Sequence, residues 1–268
     1  MTRTQAARSS APLQELLDPA IRHDLDRIPI QPDQRVLEIG AGTGELTAHL
    51  AHLVGPNGGV TAVDKDTSHL APTAVIDVYQ RTLDDDDLPG EPGTVDVAIA
   101  RWLHGPLPDP DAVIRQTIDR LRPGGWLILA DLPFTPARVF HPRGEDADLI
   151  QHLATMIYSL ITGNGRPTWP HDATAPLVAN SMNPVCTHRS VETWTGGGPG
   201  CRILADGAEY FRPHLIQPEL SHADLDRFIN LMADPAVLLS SYERRTVHAR
   251  KASEPHRPAA PARRAVER

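Results

Sequence analysis

Three glycines at alternate positions, Gly40, Gly42 and Gly44, follow the run Val36-Leu37-Glu38-Ile39, and Asp64 closes the next apolar run at Val63. An apolar run that carries an acid and breaks into alternating glycines reads as a buried strand entering a tight turn that opens a helix. Such a turn can hold a small molecule by its backbone, because glycine lacks the Cβ that would keep the main chain away from a ligand. The N–H groups at the start of the following helix suit an anion. A dinucleotide turn, G-x-G-x-x-G, needs a third glycine three residues after the second. Here that position is Glu45, a carboxylate where a pyrophosphate would lie. The spacing speaks against an NAD-dependent oxidoreductase, one of two alternatives weighed.

Strands and helices must hold these residues in place. Gln34 to Ile39 is expected as the first buried strand, Gly44 to Val54 as a helix, and Val60 to Val63 as the second strand after the turn Gly55-Pro-Asn-Gly-Gly59. Ala74 to Leu83 reads as strand three and Asp84 to Asp87 as an acidic loop. Val95 to Ala100 is strand four, Asp111 to Leu121 a helix, and Trp126 to Leu132 strand five. Arg122-Pro-Gly-Gly125 stops the helix, since proline cannot continue it and glycine suits the reversed turn. Strands alternating with helices specify parallel β-α-β units, hence an α/β, doubly wound and mostly parallel sheet.

Beyond Pro133 the pattern changes. Ala147 to Ile161 predicts a helix, Thr162 to Asn183 is rich in glycine, proline and polar residues, and Val185 to Trp194 reads as a strand. Ile203 to Phe211 and Asp224 to Met232 predict helices, and Tyr242 to Arg250 a last strand. Residues 1–11 and 252–268 are expected to be disordered, the latter from repeated Pro, Ala and Arg without apolar partners. One domain over 12–251 follows, with residues of about 133–183 and 201–218 as a helical cap over a substrate site.

The chain has 268 residues and a formal net charge of −8, so nothing in its bulk charge attracts nucleic acid phosphates. No apolar run approaches the roughly 20 residues of a membrane span, and Met1 to Ala11 lacks an apolar signal core, which predicts a cytoplasmic protein without membrane or nucleic-acid partners. Cys186 and Cys201 form no C-x-x-C pair, so no metal site is expected. Lysine occurs only at Lys65 and Lys251 while arginine, alanine and proline abound, a bias expected of a GC-rich, bacterial genome.

Four segments, in order, resemble the class I S-adenosylmethionine (SAM) dependent methyltransferases: Val36–Gly44, Val63-Asp64, Val95–Arg101 and Leu121–Asp131, the last with its Leu-Arg-Pro-Gly-Gly-Trp-Leu turn. The resemblance implies a Rossmann-like seven-stranded sheet and SAM as cofactor. It places Gly40, Ala41, Gly42 and Gly44 at the methionine carboxylate, Glu38 near the methionine ammonium, and Asp64 on the ribose hydroxyls. Lys65 and Arg101 join the cofactor set. The adenine amine is usually held by an aspartate just after strand three; this chain has Thr82 there, then Leu83, with Asp84 two positions later.

Trp102 and His104 follow strand four, and Asp131 and Phe134 end strand five, at the sheet edge where ligands of such folds bind. His104 is the candidate general base, with a pKa suited to proton transfer near neutrality. Relatives of this kind carry a histidine two positions later, where Pro106 stands here. The acceptor is expected to be a small molecule, a specialised natural product, through O, N or C; an indole-like carbon is permitted because Trp102, Phe134 and Trp169 can hold a flat ring. The second alternative is a SAM-binding protein without catalysis. A homodimer is the default expectation for the assembly.

Overall fold

The structure is a computed structural model that describes residues 18–253 apart from 20, 29, 84–86, 102–108, 132–136, 162–173, 217 and 219. Among the described residues, 18–19 and 21–25 are helical, and after them come β1 (Arg35–Ile39), α1 (Glu45–Val54), β2 (Gly59–Asp64), β3 (Ile76–Gln80), β4 (Val95–Arg101), α2 (Pro110–Arg120) and β5 (Leu121–Asp131). There follow β6 (Val139–His141), α3 (Glu145–Ile161), α4 (Thr174–Ala179), β7 (Met182–Ser190), β8 (Thr193–Thr195), α5 (Pro199–Tyr210), α6 (Arg212–Leu215), α7 (His222–Ala233), β9 (Leu238–Ser240) and β10 (Arg244–Lys251).

The main sheet has seven strands in the order β3-β2-β1-β4-β5-β10-β7. β1 to β5 run parallel, and β10 runs antiparallel to both of its neighbours. The doubly wound sheet is therefore the one expected, and its order reverses between β1 and β4, where the glycine turn leaves the sheet. Two apolar layers cover it. One joins Leu46, Leu50 and Val54 of α1 to Val97, Ile99 and Ile128, together with Ile21, Leu25, Ile28 and Ile30 of the N-terminal segment. The other joins Val113, Ile114 and Ile118 of α2 to Leu37, Leu127 and Val247.

Several boundaries depart from the sequence pattern. β3 covers only Ile76–Gln80, because the Thr73 hydroxyl accepts the amides of Val75 and Ile76 and turns the chain before the strand begins. The expected strand Val185–Trp194 divides into β7 and β8. α5 begins at Pro199 rather than Ile203, with proline in the first turn where its missing N–H costs nothing. α4 forms within a segment too rich in turn residues to show a helical period, and Leu177 and Met182 there pack on the sheet. α3, α5 and α7 gather around a separate cluster with Trp194, Leu239 and Tyr242, beside a three-stranded sheet of order β6-β9-β8. This cluster reaches from Ala137 to Tyr242, further along the chain than the expected cap segments.

Candidate functional site

The glycine turn is fixed by its own backbone. The amides of Gly40 and Ala41 donate to the carbonyl of Val63 at 2.9 and 3.2 Å, and Gly44 N–H closes on Ala41 O at 3.1 Å. Gly40, Gly42 and Gly44 have φ of 83°, 58° and 84°, in the left-handed region that L side chains avoid. At Gly40 a Cβ would lie 2.3 Å from the carbonyl oxygen of Arg101, and at Gly44 it would lie 2.7 Å from Leu70 Cδ2. Ligand approach was the reason expected for these glycines. Gly40 is also required by the backbone of β4, which leaves no room for a Cβ, and Gly44 by its left-handed φ.

Asp64 faces the same turn. Its Oδ2 accepts the Gly42 amide at 2.8 Å and its Oδ1 the Asp66 amide at 3.0 Å. An ionised carboxylate has about four acceptor positions, so capacity remains for further donors. α1 starts at Gly44, whose lack of a side chain leaves the first-turn amides without a side-chain cap. Those amides and the dipole of α1 suit an anionic group, and the acid suits hydroxyl donors. The donor set thus fits a ligand that has a carboxylate at one end and a diol further along.

Glu38 and Arg101 lie beneath the turn. Glu38 is 0% exposed; its Oε2 accepts the Thr47 hydroxyl at 2.6 Å and its Oε1 takes Arg101 Nη2 at 3.1 Å. Arg101 Nη2 also donates to the Ala41 carbonyl at 3.2 Å, and Nη1 pairs with Asp18. Burial pushes the Glu38 carboxyl up to about 7, with Arg101 pulling the other way. Both belong to the set expected around the cofactor. Their side chains are buried and brace the turn through the Ala41 carbonyl, where guanidinium and acid satisfy each other.

On the other side of Asp64, β2 and β3 are stitched together beyond the sheet. Arg81 N–H donates to Asp64 O at 3.0 Å and Gln80 Nε2 to Lys65 O at 3.0 Å. Lys65 and Thr82 are exposed. Leu83 is half-buried and packs against the sheet core. Asp84, Trp102, His104, Phe134 and Trp169 lie outside the described residues. Asp131 ends β5 in register with Arg245 of β10. Among the described residues no group of three or more His, Cys, Asp or Glu side chains could hold a metal ion, and no helix is long and apolar enough to cross a membrane.

Sequence reasoning missed Asp18 altogether. The only signal was its partner: a charged residue, Arg101, ending the otherwise apolar run of β4 must find a counter-ion or leave the core.

Comparisons with known proteins agree with this geometry. The model of a family described as "Methyltransferase domain" matches residues 13–169. Methyltransferase str2 of Strobilurus tenacellus is 28% identical over 194 residues, which cover 72% of this chain and 70% of that protein. A ubiquinone biosynthesis O-methyltransferase of Xanthomonas campestris pv. campestris is 36% identical over 118 residues, 40% of this chain and 46% of that one, so the match spans less than half of that relative. Among solved structures, YcgJ from Bacillus subtilis superposes with a TM-score of 0.53 at 17% identity, covering 87% of this chain and 100% of that one. The cyclase SpnF superposes at 0.52 and 16% identity, covering 90% and 84%. At these identities the structures speak for the fold alone.

Proposed function

The chain belongs to the class I, SAM-dependent methyltransferases, and on that premise we propose that it methylates a small-molecule acceptor, a specialised metabolite. The observation that carries this reading is the turn itself: three left-handed glycines, an acid on the Gly42 amide, and a helix start without a side-chain cap.

In this reading the amides of the Gly40–Gly44 turn and the first turn of α1 receive the methionine carboxylate, and Asp64 accepts the ribose hydroxyls. Lys65 and Thr82 border the adenosine side, and the adenine amine is held either by Asp84 or by backbone and packing. Glu38, Ala41 and Arg101 hold the turn in shape from below. The bound cofactor supplies a methyl group on a sulfonium, so the leaving group is a neutral thioether and the protein's share is orientation and removal of water. Trp102, Asp131 and Phe134 line the acceptor side, with the helical cluster of α3, α5 and α7 as the cap. His104 removes the acceptor proton where the acceptor is an alcohol; amines and electron-rich carbons need no such base.

The net charge of −8 favours a small acceptor over a nucleic acid. A relative named as an O-methyltransferase of ubiquinone biosynthesis supports an acceptor of the same small-molecule class. The test is incubation of the purified protein with SAM labelled in its methyl group and small-molecule extracts. Transfer of label to a low-mass product is expected. Label appearing only in protein or nucleic acid would overturn the acceptor class, and S-adenosylhomocysteine binding without product would favour a non-catalytic binder.

A further inference from the structure

Three buried charged side chains connect parts of the sequence that no motif joins. Arg101 (2% exposed) pairs through Nη1 with Asp18 (3% exposed) and through Nη2 with Glu38 and the Ala41 carbonyl. Glu38 in turn is tied to Thr47 in the first turn of α1. One guanidinium thus touches the N-terminal segment, β1 and the glycine turn, while its own backbone carbonyl occupies the space beside Gly40. Apolar groups of equal volume in place of such a network often leave a protein as stable or more so. Asp18 Oδ2 and Arg101 Nε moreover have no hydrogen-bond partner among the described residues, which costs further stability. Stability does not account for the network; the placement of the turn does.

We propose that Asp18 and Arg101 are positioning residues that clamp the N-terminal segment against the glycine turn and hold its amides in the geometry that receives the cofactor. This inference rests on the methyl-transfer reading. The segment already lies on the sheet through Ile21, Leu25 and Ile28, which pack with Leu46 and Ile99. Those contacts set its depth without setting its register along the turn, because apolar packing is non-directional. The Asp18–Arg101 pair supplies the direction. A residue that is not assigned to the cofactor, and that stands 22 positions before Gly40, thereby governs cofactor affinity.

The test compares Asp18→Ala with Leu25→Ala, a control that loosens the same segment without touching the ion pair. S-adenosylhomocysteine affinity is measured by calorimetry, melting temperature by scanning, and exchange of the 40–44 amides by mass spectrometry in the absence of ligand. Asp18→Ala is expected to weaken binding about tenfold and to speed exchange at 40–44. Asp18→Asn, which keeps an acceptor for Nη1, should fall between it and the wild type. Leu25→Ala should lower the melting temperature while leaving affinity within about twofold. Equal loss of affinity in the Leu25 variant, or unchanged binding in both Asp18 variants, overturns the proposal. A wild type that does not bind S-adenosylhomocysteine overturns the methyl-transfer reading instead, and the exchange measurement then decides alone: unchanged protection at 40–44 in Asp18→Ala refutes the clamp.

Discussion

Asp64 Oδ2 accepts the amide of Gly42 at 2.8 Å, so the acid that ends β2 holds the middle glycine of the turn opposite it. In the proposed reading two tasks then fall on one carboxylate: fixing the turn and meeting the hydroxyls of a bound nucleoside. Asp64→Ala should lower S-adenosylhomocysteine affinity by about 1.5–3 kcal/mol, the worth of a charged hydrogen-bond partner. Calorimetric titration checks this, and wild-type affinity in the variant would move the ribose to another residue.

Gly42 has φ of 58° and gives Asp64 its amide. Gly42→Val should abolish S-adenosylhomocysteine binding in a protein that still folds, because a β-branched side chain resists the left-handed region and crowds the turn. Circular dichroism would verify the fold and calorimetry the loss. Normal binding would remove the turn from the cofactor site.

Gly40 and Gly55 separate two costs. Both have positive φ, 83° and 69°, but only Gly40 has a neighbour where a Cβ would go, the Arg101 carbonyl at 2.3 Å. Gly55→Ala should cost about 1–3 kcal/mol from backbone conformation alone, since its φ of 69° is joined to ψ of −172°, a region essentially confined to glycine. Gly40→Ala should cost at least about 1 kcal/mol more than Gly55→Ala, since β4 must also give way. Urea denaturation of the two variants measures the difference; equal losses would mean that β4 yields freely.

Glu38 makes stability depend on pH. Burial raises its carboxyl from 4.5 to about 7, against the opposing pull of Arg101 and the Thr47 hydroxyl. With the folded-state value above the unfolded one, the contribution is complete below the lower value and is lost as pH rises through the upper one. Glu38→Gln replaces the protonated acid by an uncharged group of similar shape. Its unfolding free energy should gain on the wild type between about pH 5 and about pH 8. Parallel curves from urea melts across that range would show that Arg101 keeps Glu38 ionised throughout.

The buried parallel strands were legible because Val36–Ile39, Val60–Val63 and Val95–Ala100 are short apolar runs bounded by turn residues, and each forms the strand expected. Strands of three residues such as β6, β8 and β9 carry too few positions for a period to show. The glycine turn announced itself by composition, yet one further reason for Gly40 lay in a distant neighbour, the Arg101 carbonyl, that the local pattern does not contain. The Asp18–Arg101 pair spans 83 positions, and no window of sequence relates such residues.

β10 lies between β5 and β7 and pairs with both, Val247 meeting Leu129 on one side and Thr187 on the other. During synthesis, the half of the sheet that carries the glycine turn leaves the ribosome long before its last internal strand. Until residues 244–251 emerge, β5 keeps an open edge and β7 has no partner in the sheet, and unpaired strands invite pairing with another chain. A chain interrupted before Arg244 would therefore be lost to aggregation with every residue assigned to the cofactor intact.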